Sequence, residues 1–160
     1  MKPASILIYG FGNPGREDDG AGVALAEQVR AAALPGVTVD SNYQLNIEDA
    51  LLLREHDLVV FADASRNAVG QFRFSRLEPA ASVSFTTHAM PPESVLALCL
   101  QLYQTVPPVY LLEIGGAAYN LREGLSAAGV ENTAAAGTFV LELLRQPSFA
   151  KFEAAAVAQV

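Results

Sequence analysis

The sequence predicts an α/β fold of three layers, a mostly parallel sheet of about five strands with helices on both faces. Three observations lead there. Short apolar, β-branched runs alternate with segments whose apolar residues recur at helical spacing, the signature of repeated βα units. The apolar runs are mostly continuous, as expected of strands covered on both faces. The composition can fill such a core: of 160 residues, 51% are hydrophobic and 17% charged, a balance that also argues against disorder.

Residues 5–10, Ser-Ile-Leu-Ile-Tyr-Gly, make the first predicted strand, stopped by glycine and followed by a glycine-rich turn. Over 19–33 the apolar positions Val23, Leu25, Ala26 and Val29 fall at helical spacing, and Leu34-Pro35-Gly36 ends the helix. A second strand is expected over 37–40. Asn46-Ile-Glu-Asp49 reads as a polar N-cap with an acidic first turn, opening a helix through Leu51, Leu52 and Leu53 to Arg54. The most strand-like segment is 58–62, with Asp63 at its carboxyl end. Residues 71–74 alternate polar and apolar, which predicts a half-exposed edge strand.

Pro91-Pro92 is suited to a helix start, where no backbone donor is needed, and the helix runs through Val95, Leu96, Leu98, Cys99, Leu102 and Tyr103. A buried strand over 109–114 is closed by Gly115-Gly116. Ser126 caps a last long helix through Val140, Leu141 and Leu144, a pattern that Gly129 and Gly137 weaken. No repeat, linker or low-complexity stretch interrupts the chain, so one domain is expected over 1–160, with 148–160 a short helix or a frayed end.

Ten basic against seventeen acidic residues give a net charge of −7, and the basic ones are scattered. That disfavours a nucleic-acid partner. Cys99 is the only cysteine, which excludes an internal disulfide and a thiolate metal cluster, and its place on an apolar helix face reads as core. No apolar run is long enough to span a bilayer. The opening residues lack the pattern of an export signal, so the cytoplasm is the expected address.

In open α/β sheets ligands bind beyond the carboxyl ends of the strands. Three such places carry side chains able to bind a cation or move a proton. The turn after the first strand holds Glu17, Asp18 and Asp19 at a helix start. Helix capping accounts for one or two of these, but a third like charge adds repulsion. Asp63 follows five apolar residues, as either a turn cap or a site residue. His88 stands in the loop before the Pro91-Pro92 helix. Two carboxylates and one imidazole at one sheet edge suit a borderline divalent ion such as nickel or zinc. His56, at a helix end, needs no such role. Glu113, inside a strand before a glycine pair, fits either a cleft or a paired position.

Two other readings of the glycine turn compete. Gly10, Gly12 and Gly15 satisfy G-x-G-x-x-G, with Asp40 as a ribose-binding acid of a dinucleotide fold. Against it, Pro14 removes a backbone donor and the acids occupy the place where a pyrophosphate needs positive potential. Gly12-Asn-Pro-Gly15 also resembles the opening of bacterial peptidyl-tRNA hydrolases, but acids stand where those enzymes place a histidine.

The run Gly12-Asn-Pro-Gly-Arg-Glu-Asp-Asp-Gly-Ala-Gly22 resembles the signature of the [NiFe]-hydrogenase maturation proteases: Gly-Asn, a four-residue spacer, two acids, then a spaced glycine pair. The likeness continues in Phe61-Ala-Asp63-Ala, Thr87-His88-Ala, Glu113-Ile-Gly115 and Gly124-Leu-Ser126, covering 5 to about 144. Glu17 adds an acid where many relatives carry a neutral residue or glycine. The resemblance implies a twisted, phosphorylase/hydrolase-like sheet and a hydrolase that removes a C-terminal extension from the hydrogenase large-subunit precursor after nickel insertion. Asp19, Asp63 and His88 are implied as metal-reading and catalytic residues, with Asp18 a cap or the general base. Nickel is expected to be carried by the substrate, with no organic cofactor; the partner is the large-subunit precursor, and the protein a monomer. The non-enzyme alternative is a nickel-binding chaperone of the large subunit that does not cut.

Overall fold

The computed structural model describes residues 1–67, 69–83 and 90–157. Five strands form one sheet: β1 (Ile6–Phe11), β2 (Val37–Asn42), β3 (Leu58–Ser65), β4 (Phe72–Leu77) and β5 (Val109–Gly115). Their order is β2-β1-β3-β5-β4, and every neighbouring pair is parallel except β4 with β5. The connection 66–71 is too short for a crossover helix. The edge strand β4 therefore runs antiparallel, and β5 takes the place between it and β3. Among the described residues there are five helices, α1 (Ala21–Ala32), α2 (Asp49–Arg54), α3 (Pro92–Tyr103), α4 (Ala127–Arg145) and α5 (Phe149–Ala155), with a 3-10 turn, Glu17–Gly20, ahead of α1.

Alternate residues of the central strands feed two cores, because strand side chains alternate between faces. Ile6, Ile8, Leu58, Val60, Leu112 and Ile114 pack with Leu25 and Val29 of α1, Val140 and Leu144 of α4, and Phe152 of α5. Leu7, Tyr9, Val59 and Phe61 face the other way, toward Leu53 of α2 and Val95, Leu96 and Cys99 of α3. Cys99 is thus core, and its thiol reaches the Thr105 carbonyl at 3.3 Å.

Three local expectations are refined. The predicted cap of α2 is reversed: Asp49, not Asn46, supplies the oxygen, accepting from the Asn46 N–H at 2.9 Å and the Tyr9 hydroxyl at 3.2 Å. Helix α4 keeps its Ser126 cap, whose hydroxyl accepts from the Gly129 N–H at 3.0 Å, and passes through both glycines, which are sites of close packing. A Cβ on Gly129 would collide with the Asp18 carboxylate, and one on Gly137 with the Gln28 amide. The end of the chain forms α5, held by fully buried Phe152 and by the Val157 N–H, which donates to the Phe74 carbonyl at 2.8 Å. That contact covers part of the β4 edge, where open backbone groups invite aberrant pairing. No helix of the described residues is long and apolar enough to cross a membrane.

Candidate active site

The site is built where α1 lies against the sheet. Gly22, in the first turn of α1, sits so close to β3 that any side chain would strike the Ala62 carbonyl. This contact brings the turn ahead of α1 down onto the end of β3, where Asp63 follows Ala62. Strand β3 runs on to Ser65, so Asp63 lies inside the strand and not beyond it, in register with Glu113 of β5. Asp63 and Glu113 continue the face that carries Val59, Phe61 and Leu111, at the level where apolar packing ends.

The three acids of the turn separate by role, and none of them caps the helix. Glu17 is buried with a left-handed backbone (φ 49°), and its carboxylate accepts from the Asn120 N–H at 3.3 Å. Asp18 is fully buried. One of its oxygens accepts from the Ala117 N–H (2.7 Å), the Ala118 N–H (3.1 Å) and the Ser126 hydroxyl (2.6 Å), and the other from the Ser126 N–H (2.8 Å). Both acids thus turn toward the 117–126 segment. Only Asp19 turns to the loop after β1, accepting from the Asn13 N–H at 2.8 Å.

Electrostatics divide the acids in the same way. Burial alone pushes Asp18 up, but the hydrogen bonds from Ser126, Ala117 and Ala118 outweigh it and hold its carboxyl below the usual range. Asp63 is pushed up to about 7, chiefly by burial, with a backbone hydrogen bond from Ala64 opposing and the charges of Asp19 and Glu113 adding to it. The role of base expected as one option for Asp18 is therefore corrected: a carboxylate with four donors aimed at it and no exposure cannot reach a water. It is a fastener between the turn and the α4 cap.

Asp19 is thus near enough to Asp63 for their charges to interact, and Glu113 is in register beside Asp63. His88 lies outside the described residues, and among those described no three acid, histidine or cysteine side chains form a metal-holding group. His56 is remote from this edge in role, its Nδ1 lying 2.7 Å from the Leu52 carbonyl. The backbone of the glycine turn is occupied by the chain itself, since Asp19 takes the Asn13 donor that a dinucleotide phosphate would need.

Tyr119 and the arginine stacked on it were not singled out from sequence. Tyr119, in the segment fastened by Asp18, donates its hydroxyl to the Ser65 carbonyl at 3.1 Å. The Arg66 guanidinium stacks over its ring, 3.8 Å from the centroid. Burial raises the Tyr119 phenol, Arg66 opposes, and Asp18, Asp19 and Asp63 all add to the rise, so the ring lies within the field of the acid cluster. Both residues follow the carboxyl ends of parallel strands, the signal that could have found them.

No family model matches the chain, and no curated protein matches its sequence. Solved structures do. The chain is similar to a [NiFe] hydrogenase maturation protease HycI from Thermococcus kodakarensis KOD1, at 25% identity and a TM-score of 0.71, over 90% of this chain and 94% of that one. It is also similar to a hydrogenase 2 maturation peptidase from Thaumarchaeota archaeon SCGC_AB-539-E09 (23% identity, TM-score 0.66, 88% and 97% covered). A third is the hydrogenase maturating endopeptidase HybD from E. coli (21% identity, TM-score 0.66, 88% and 92% covered). The chain therefore has the fold of the [NiFe] hydrogenase maturation proteases, the family its motifs resemble.

Proposed function

We propose that this chain is an endopeptidase that removes the C-terminal extension of a [NiFe]-hydrogenase large-subunit precursor after nickel has been inserted. What supports the reading is that the charges of Asp19 and Asp63 interact at the carboxyl edge of the sheet, the two acids whose motifs resemble the metal-reading positions of that family. In this reading His88 is the third ligand, taken from the Thr87-His88-Ala motif. Nickel is part of the substrate: two carboxylates and an imidazole suit it, and its capture fixes the scissile peptide relative to the site, so that binding supplies orientation. The same reading makes the enzyme cytoplasmic and monomeric, without an organic cofactor.

Hydrolysis needs a water, a base and an exit for the amine. Glu113, half-buried and in register beside Asp63, takes the proton of the water as its oxygen bonds to the carbonyl carbon. When the C–N bond breaks, the same group returns that proton to the leaving amine. Asp18 has no part in these steps except to hold the turn.

The test is the mass of the precursor after incubation with the purified protein, in nickel-loaded and nickel-free forms. Loss of the extension only from the loaded form is expected, and Asp19→Asn or Asp63→Asn abolishes it while the protein remains folded. Unchanged mass in both tubes favours the non-cutting nickel chaperone. Equal cleavage in both removes nickel sensing from the reading.

A further inference from the structure

Next to the turn that carries Asp19 lies a cleft of about 270 Å³, lined by Gly12 and Pro14 of the glycine turn, Val23 of α1, and Ser41, Asn42 and Tyr43 where β2 ends. None of these side chains is charged. Gly12 ties the cleft to the site. Its N–H donates to the Asn42 carbonyl at 3.0 Å, and a Cβ on it would collide with the Asp19 carbonyl. The next residue, Asn13, holds the Asp19 carboxylate through its N–H. The cleft and Asp19 therefore share one stretch of backbone. Pro14 and Val23 also border a smaller cleft, but that one takes in Glu17. The lip of the first cleft is apolar and open: Tyr43 is 70% exposed, and its hydroxyl has no hydrogen-bond partner among the described residues. The same connection, from β2 into α2, also exposes Ile47 (55%) and Leu51 (43%). These two stand four residues apart where the chain turns into the helix, so they fall on one side of it. Large apolar side chains left in water this close along the chain mark an interaction surface.

Resting on the endopeptidase reading, we infer that this surface docks the precursor's C-terminal extension as an extended, uncharged and apolar peptide, one of its side chains in the cleft and its path crossing Tyr43. In that reading the nickel holds the mature part of the large subunit at Asp19 and Asp63, so the segment that leaves must run off the same edge. The cleft starts at the backbone of the Asp19 turn. Its lining accepts an apolar peptide, whereas an acidic one would meet the charges of Asp19, Asp63 and Glu113. β2 is an edge strand, so no further strand closes that way out. Ser41 and Asn42 supply polar groups for the peptide backbone. An exposed aromatic ring at the lip is the type of side chain that carries most of the energy of an interface.

Cleavage kinetics with nickel-loaded precursor, set beside binding of the mature large subunit that lacks the extension, test the inference. Tyr43→Ala is expected to raise KM about tenfold with kcat within about twofold, while its affinity for the mature subunit equals that of the wild type. Tyr43→Phe keeps the ring and recovers most of the loss. Ile47→Glu and Leu51→Glu each raise KM by about threefold. A synthetic peptide with the extension's sequence binds the wild type about tenfold more tightly than it binds Tyr43→Ala. All four positions of change are on the surface, and melting curves matching the wild type check that each variant is folded. An unchanged KM for Tyr43→Ala, or an equal loss of affinity for the mature subunit, overturns the inference and leaves the endopeptidase reading standing. A wild-type protein that never cuts the loaded precursor overturns both.

Discussion

Asp18 and Asp63 lie at the same sheet edge, both poorly accessible, and the protein treats them in opposite ways. Asp18 accepts four hydrogen bonds, which keep its charge despite burial. Asp63 has a backbone bond from Ala64, while burial and the neighbouring Asp19 and Glu113 oppose its charge. One is a satisfied charge that joins segments a hundred residues apart. The other is a carboxyl with few donors, whose charged form burial and like charges oppose. Burial by itself therefore does not identify a functional acid; the supply of donors does.

The largest break of this comparison is Asp18→Ala. It removes the acceptor of the half-buried Ala118 and Ser126 donors and of the Ala117 N–H, and is expected to lower unfolding free energy by about 3 kcal/mol in urea titration. Asp18→Asn should not rescue it, because an amide turns N–H groups toward N–H groups. Next comes pH. Asp63 has a raised pKa, so between about 4 and 7 the folded state holds a proton that the unfolded chain has released. Stability is then lost as pH rises through that window, by on the order of 2 kcal/mol in the metal-free protein. Asp18 has the opposite sign: its lowered pKa contributes stability above the ordinary carboxylate value that disappears as pH falls through the folded one. Melting curves of Asp63→Asn across pH 5–8 should be flatter than wild type, and an unchanged slope would show that Asp63 is not the group responsible.

Gly129→Ala sharpens the comparison from the helix side. Its new methyl group would press on the Asp18 carboxylate, costing about 2 kcal/mol through a displaced bracket, despite the better helix propensity of alanine. At the small end, His56→Gln removes a side chain bonded to the Leu52 carbonyl and is expected to change stability by less than about 1 kcal/mol, with precursor processing unaffected.

The strand and helix alternation was legible because apolar periodicity is local, and the edge position of β4 showed in its alternating residues 71–74. The site was legible in part. Asp19 stood out in the acidic turn at a helix start and Asp63 at a strand end, and in the structure their charges interact. The division of Glu17, Asp18 and Asp19 was not visible, because their donors come from 117–126, far along the chain. Gly129 read as a weak point of α4 for the same reason: its neighbour is a carboxylate over a hundred residues away.

The sequence by itself determined the layered α/β class, the order of its elements and the residues at the carboxyl edge, since periodicity, caps and turn residues act over a few positions. Only the tertiary structure decided which acid of three turns to the loop after β1, that Asp18 fastens while Asp63 is held with few donors, and that Arg66 rests on Tyr119. Those facts depend on which donors and charges meet after β3, β5 and the turn before α1 are packed together, and a carboxylate's chemistry is set by that company more than by its place in the chain.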